Sequence, residues 1–172
     1  MAPEFTTERL RFRCFRESDV DPFHDFYRDS KSEAVYGGGV KRGDVWRRVA
    51  LFMGHWQLRG YGPWALDDRA TGRFAGYCGL WFPDGWGDPE IGWGIAPEFR
   101  GKGYAGEAAL RALNYGYREK GLARLVSYIE PSNTASRRVA EKLGARPVGE
   151  FPLHGKTHHV YLHSNPHSSK EK

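Results

Sequence analysis

The stretch from Glu90 to Ile129 constrains the fold more than any other part of the chain. Glu90–Ala96 reads as a strand stopped by Pro97. Gly103–Tyr117 places Ala105, Ala108, Ala109, Ala112, Leu113, Gly116 and Tyr117 on one helical stripe, and Gly121 is a natural stop. Arg124–Ile129 is a second strand. A strand–helix–strand unit of this kind makes a right-handed crossover between parallel strands. The fold must therefore contain a parallel pair with a helix laid across one face.

The flanking segments fill in the rest. Arg9–Phe15 alternates, with Leu10, Phe12 and Cys14 on one side and Arg9, Arg11 and Arg13 on the other, as in a half-buried strand. Ser18 caps a helix through Asp29, Gly37-Gly38-Gly39 forms a loop, and a second helix runs from Asp44 to Leu58. Trp64–Leu66 and Arg73–Phe82 read as a hairpin around the turn residues Asp67–Gly72, followed by a loop over Pro83–Asp88. Pro131-Ser132-Asn133 opens a last helix that Gly144 ends, and Val148–Phe151 with His158–Leu162 form a closing strand pair. The order is that of a mixed α/β domain. No repeat or linker divides the 172 residues, so one domain is expected, with a core over about 7–162 and a polar tail over about 164–172.

Composition excludes several classes. A chain with 40% hydrophobic and 27% charged residues is globular. No apolar run reaches the roughly 18 residues of a membrane span. The start is acidic and lacks an apolar stretch, and the two cysteines, Cys14 and Cys78, form no CxxC. They read as ordinary strand residues in a reducing compartment, and the expected location is the cytoplasm. The net charge of +5 is scattered rather than clustered, which favours a mildly basic soluble domain over a nucleic-acid surface.

The chemistry concentrates between Ala96 and the helix, at Pro97-Glu98-Phe99-Arg100-Gly101-Lys102. Glycines bring the backbone close to a ligand, the helix start offers unpaired N–H groups, and Arg100 and Lys102 add positive charge. These features suit a phosphate or pyrophosphate, although glycines before a helix can also simply make a turn. The loop is no Walker motif, because Gly103 stands where Ser or Thr follows the lysine. Gly101, Gly103 and Gly106 match a dinucleotide spacing, but they lie after a six-residue loop, and about 20 residues on the acidic residue, Glu119, falls at the helix end and not after a strand.

Arg100, Gly103 and Ala105 resemble motif A of the GNAT superfamily of N-acetyltransferases, whose pattern is Arg/Gln-x-x-Gly-x-Gly/Ala. Glu90-Ile91-Gly92-Trp93-Gly94-Ile95 is similar to the strand before that motif. Asn133-Thr134-Ala135-Ser136, with Glu141-Lys142-Leu143-Gly144-Ala145, is similar to motif B. Thr7–Arg13 resembles the first strand of the RimJ/RimL-type branch, which acetylates ribosomal proteins. The resemblance spans about 7–162. It implies a twisted, mostly antiparallel sheet of about seven strands with a splayed parallel pair and about four helices. It implies acetyl-CoA as co-substrate, with its pyrophosphate on the amides of Gly101, Lys102, Gly103, Tyr104, Ala105 and Gly106. The pantetheine arm would follow the Glu90–Ala96 strand, with Trp93, Gly94, Ile95 and Ala96 as its cofactor residues, and an amide from the Trp93–Ile95 region would hold the oxyanion. Asn133 would touch the cofactor, and the thioester would sit between the splayed strands.

The residues bear on this independently. Gly92, Gly94 and Ala96 share a face that would admit either a thin ligand or a neighbouring helix. Glu90 lies on that face and is the candidate base, through water, unless it is a solvated strand end. Asn133 is also a good N-cap. Ser136, three residues later on the same helix side, would reach the thiol or stand at the surface. The position where many relatives carry a tyrosine acid, seven residues after the Asn, is Ala140, leaving Ser136, water or no dedicated acid. Trp81, Phe82, Trp86 and Trp93 suggest a flat apolar acceptor site built from the early helices, the Trp81–Asp88 loop and the last strand pair. His154, His158, His159 and His163 have no carboxylate or Cys at ligand spacing, so no metal is expected. The reading is acetyl transfer from acetyl-CoA to a primary amine, a protein N-terminus or a small molecule, by a monomer or homodimer. The alternative is a non-catalytic CoA-binding or regulatory module of the same fold.

Overall fold

The computed structural model describes residues 2–36 and 38–165; Met1, Gly37 of the glycine loop and residues 166–172, which include His167, lie outside the described residues. In chain order the elements are β1 (Phe5–Thr6), β2 (Leu10–Arg13), α1 (Val20–Arg28), α2 (Ser30–Tyr36), α3 (Arg42–Arg59), β3 (Pro63–Asp68), β4 (Phe74–Trp81) and β5 (Glu90–Ile95). Then follow α4 (Tyr104–Asn114), β6 (Val126–Ile129), α5 (Thr134–Lys142), β7 (Arg146–Leu153) and β8 (Lys156–Leu162). The sheet runs β1-β2-β3-β4-β5-β6-β8-β7. Every neighbouring pair is antiparallel except β5–β6, as the crossover demands. The additions to the expected seven strands and four helices are the two-residue β1 and the short α2. Both are too brief for a periodic pattern to register.

The two faces of the sheet bury different layers. Ala108, Ala109, Ala112 and Leu113 of α4 pack with Ile91 and Ile95 of β5 and Leu66 of β3. On the other face, Phe23 and Phe26 of α1 and Val45, Val49 and Phe52 of α3 pack over Ala65 and Phe74. The α-helical part of α4 ends at Asn114, short of the expected Tyr117, and a π-helical turn over Tyr115–Glu119 follows. That turn buries Tyr117, whose hydroxyl donates to the His163 carbonyl at 2.7 Å.

Arg13 departs from the alternating pattern. Expected on a solvent face, it is 5% exposed because the α1–α3 layer covers that face too. Its guanidinium bridges two carboxylates, with Nη1 and Nη2 on Asp19 at 2.7 Å and Nε and Nη2 on Asp67 at 2.6 and 2.7 Å. Asp67, expected in a turn, is part of β3. Arg11, between two inward residues, stays exposed. Both cysteines are free; Cys78 is buried in β4 and Cys14 is half-buried just past β2.

Candidate active site

The parallel pair is held by a single residue pairing, Glu90 with Val126. There the Val126 N–H donates to the Pro89 carbonyl at 3.0 Å. Beyond this point the strands part, and side chains rather than backbone span the opening. Ser127 Oγ donates to the Ile91 carbonyl at 2.7 Å, and the Tyr128 N–H donates to the Glu90 carboxylate. At the far end of β5 the Ile95 carbonyl accepts Arg100 Nε at 2.9 Å. Backbone direction alternates along a strand, so the N–H and C=O of Trp93, between Ile91 and Ile95, also face the gap. An extended ligand could bond there as a strand would.

The loop after β5 turns through a 3₁₀ stretch, Pro97–Phe99, and reaches α4 with Gly101 at φ +73° and Gly103 at φ +85°. A side chain is strained at such angles. Gly101, Lys102 and Gly103 are exposed, and the first N–H groups of α4 have no intrahelical acceptors. Arg9 braces this loop from β2's leading edge. Its Nη1 donates to the Lys102 carbonyl at 2.6 Å and its Nε to Glu107 at 2.7 Å, while Thr7 Oγ1 donates to Glu107 at 2.6 Å. Tyr104 is anchored below, its hydroxyl donating to Asp68 at 2.7 Å.

Arg100 plays a different part from the one expected. Its guanidinium pairs with Asp29 and donates to Ser32 Oγ at 2.7 Å, besides the Ile95 carbonyl. The Arg100 hydrogen bond holds the Asp29 carboxyl below its usual range. The charge therefore ties the loop to α1 and α2 instead of facing a phosphate. Lys102 Nζ likewise turns back to the Glu98 carbonyl at 2.8 Å, though it stays exposed. Anion attraction at this loop thus rests mainly on backbone N–H groups. Of the two alternatives for the small-residue face of β5, a neighbouring helix holds at Gly94. A Cβ there would lie 2.5 Å from Tyr77 Cε1 and 2.9 Å from Phe26 Cζ, so that glycine admits aromatic packing from β4 and α1. At Gly92 the face is open, and a Cβ would meet only Glu90 Oε1, at 3.7 Å.

Glu90 opens onto a cavity of about 800 Å³. Burial raises its carboxyl pKa to about 7, against the pull of the Trp86 indole N–H at 2.8 Å and the Tyr128 amide. A carboxylate poised near neutrality is suited to accept a proton there. Trp81, Trp86 and Trp93 line the cavity as expected. Phe82 does not: its amide donates to His55 Nε2 at 2.9 Å and its ring lies under Arg59.

Asn133 and Ser136 reach the same cavity from the start of α5. Asn133 Oδ1 accepts the Ser136 N–H at 3.1 Å, a genuine N-cap. Ala140 is fully buried with Ile129, Ala145 and Tyr161, and the Trp93 side chain packs on that group. Among the described residues no three His, Cys, Asp or Glu side chains gather as metal ligands, and no helix is long and apolar enough to cross a membrane.

Residues 9–146 match the Acetyltransferase (GNAT) domain family. The chain belongs to the GNAT acetyltransferase family. YkkB of Bacillus subtilis (strain 168), an uncharacterized protein, is 34% identical over 149 residues, covering 82% of this chain and 84% of YkkB. The crystal structure of an acetyltransferase from Agrobacterium tumefaciens str. C58 superposes with a TM-score of 0.84 at 27% identity, covering 95% of both chains. A spermidine N-acetyltransferase from Vibrio cholerae, solved with CoA and spermine, shares the fold with a TM-score of 0.70 at 18% identity, over 91% of this chain and 94% of that one.

In this GNAT domain the sheet brings Glu90, Trp93, Asn133 and Ser136 to one cavity, while the Gly101–Gly106 segment lies at the opposite end of β5. Sequence reasoning missed the groups that hold these residues. Trp86 reads as one more apolar residue, yet its N–H orients Glu90. Ser127 is a polar residue at a buried strand position, a signal that it must have a partner; it has two, Ile91 O and His163 Nε2 at 2.9 Å. Arg9 and Glu107 are 98 residues apart, and only the fold places them together.

Proposed function

We propose that this GNAT domain transfers the acetyl group of acetyl-CoA to a primary amine. The observation that carries the reading is the opening between β5 and β6, with the backbone of Trp93 turned into it and Glu90 at its closed end, beside the cavity. The residues fit an extended thioester. Gly101 and Gly103 hold backbone turns that side chains resist, beside the free N–H groups of Lys102, Tyr104, Ala105 and Gly106 at the α4 start. Trp93 offers a donor and an acceptor at the gap, flanked by Gly94, Ile95 and Ala96. Acetyl-CoA supplies the activated acetyl group.

The chain's own residues supply alignment and proton handling. Glu90 accepts a proton from the entering ammonium, directly or through one water, and passes it to solvent. The amine nitrogen then forms the amide bond as the thioester C–S bond breaks. The second nitrogen proton is lost to solvent, and the departing thiolate takes up one proton. The Trp93 N–H is placed to stabilise charge on the carbonyl oxygen. With Ala140 buried in the core, Ser136 and water remain the groups to protonate the thiolate, and Asn133 adds a cofactor contact to its capping role. On the Thr7–Arg13 strand, whose Arg9 braces the loop, we assign the chain to the RimJ/RimL-type branch. Its free thiols suit the cytoplasm.

Thermal unfolding with acetyl-CoA, NAD and ATP tests the reading. At about 100 times Kd the ligand stabilises by about 2.7 kcal/mol. That raises Tm by about 5–10 °C for a chain of this size. No shift with millimolar acetyl-CoA, beside a shift with NAD or ATP, overturns it.

A further inference from the structure

The acceptor end of the cavity has few charges and many rings. Two carboxylates stand on its wall, Glu90 and Glu130. Glu130 is paired with Lys156 at 2.8 Å, whereas Glu90 has no cationic partner among the described residues and is held by N–H donors only. The wall therefore offers one seat for an ammonium. A polyamine, with several ammonium groups along its length, needs several carboxylates, and this wall offers one that is not already paired with a cation among the described residues.

The rings are locked in place before any ligand arrives. Trp81 has one face stacked on His55, centroids 4.5 Å apart at 24°, and meets the Phe52 ring at 5.4 Å and 74°. Trp86 is fixed at one end by its N–H on Glu90 and meets the His154 ring at 5.7 Å. Tyr128 Oη accepts the Asp88 N–H at 2.8 Å. His154 belongs to the β7–β8 turn, so its contact with Trp86 joins that turn to the β4–β5 loop across the cavity. A concave, largely apolar cavity of about 800 Å³ with one convergent unpaired carboxylate suits a small molecule. Fixed aromatic walls favour a flat ring, since little side-chain freedom remains to be lost on binding.

We infer that the acceptor is a small aromatic monoamine, an arylalkylamine whose ring lies among Trp81, Phe52 and Trp86 while its ammonium reaches Glu90. The inference rests on the acetyltransferase reading and narrows it. Trp86 then serves twice, walling the ring and orienting the carboxylate.

The test is steady-state thiol release from acetyl-CoA with phenethylamine, n-butylamine, spermidine and a short peptide with a free N-terminus. Phenethylamine should exceed the other three in kcat/KM by about tenfold or more. Trp81→Ala should erase that advantage by raising the phenethylamine KM, with the acetyl-CoA-induced Tm shift retained. Trp86→Phe keeps a ring but removes a donor that lowers the Glu90 pKa, so the acid limb of the phenethylamine pH–rate profile should move to higher pH. The parent's phenethylamine-to-n-butylamine ratio of kcat/KM decides the matter if Trp81→Ala does not fold. Equal or better turnover of spermidine or the peptide overturns the inference and leaves the acetyltransferase standing. So does acetyl-CoA binding without turnover of phenethylamine, or an acid limb unmoved in Trp86→Phe. Absence of any acetyl-CoA-induced Tm shift removes both readings.

Discussion

Replacing Glu90 with Gln should make the protein more stable at alkaline pH while disabling it. Burial lifts the Glu90 carboxyl from its ordinary 4.5 to about 7. Below the unfolded value both states are protonated and the side chain is pH-neutral in its effect. As pH rises from 4.5 towards 7 the unfolded chain releases the proton while the folded protein retains it, so stability falls. Above about 7 the loss is complete. At 1.36 kcal/mol per pKa unit the full penalty is about 3 kcal/mol. The side chain opens onto a cavity that admits water, which screens part of it and leaves about 1–2 kcal/mol for glutamine to recover. Glutamine keeps an oxygen for the Trp86 N–H but carries no charge to desolvate. Thermal melts of parent and variant at pH 4 and pH 8.5 read the difference. The variant should match the parent within about 1 °C at pH 4 and exceed it by about 2–8 °C at pH 8.5. At neutral pH its kcat should fall about 10²-fold or more with acetyl-CoA binding intact, and the defect should shrink as free amine accumulates at higher pH. A variant less stable than the parent at pH 8.5, or one with the same advantage at both pH values, refutes the argument that a desolvated carboxylate is held there for chemistry.

Gly103→Val should weaken CoA binding by about tenfold or more, roughly 1.4 kcal/mol, because it forces a branched residue to φ +85° at the helix start. Lys102→Ala should weaken it less, since that ammonium is exposed and engaged with Glu98; isothermal titration of folded variants ranks the two. Arg13→Ala should lower stability by about 3–5 kcal/mol, since Asp19 and Asp67 would be left facing one another without their shared cation. Urea unfolding measures that loss, and a value under about 1 kcal/mol would mean the network is dispensable.

The crossover was legible because its signals are local: a strand stopped by Pro97, a clean apolar stripe on α4 and a glycine loop between them. The same holds for Asn133 as a cap, three residues before the amide it receives. What escaped reading depends on partners distant in sequence. Arg13 looked solvent-facing by alternation alone, and its burial follows from Asp67, 54 residues away, and from helices laid over that face. Arg100 matched a motif and carried the right charge for a phosphate, but Asp29, 71 residues earlier, claims it. The small residues of β5 left a ligand and a neighbouring helix as alternatives; at Gly94 the missing side chain serves Tyr77 of β4 and Phe26 of α1, and the gap is addressed by backbone edges. Glu90 was legible as a strand-end carboxylate on the groove, yet its shifted pKa comes from walls contributed by the β4–β5 loop and β6. Spacing within a segment can place a residue on a face, but what covers that face belongs to the topology.

On the proposed function, the β5–β6 opening and the cavity beside it carry out one coupled reaction. The most direct test is to incubate the protein with acetyl-CoA and phenethylamine, and to count free thiol and N-acetylated amine in the same sample over time. The two should accumulate in a one-to-one ratio, both rates should depend on amine concentration, and both should collapse together in Glu90→Gln. Thiol release that is indifferent to the amine, or acetyl-CoA bound tightly with no acetylated product from any primary amine, would contradict the proposed function and point to a domain that holds CoA without performing transfer.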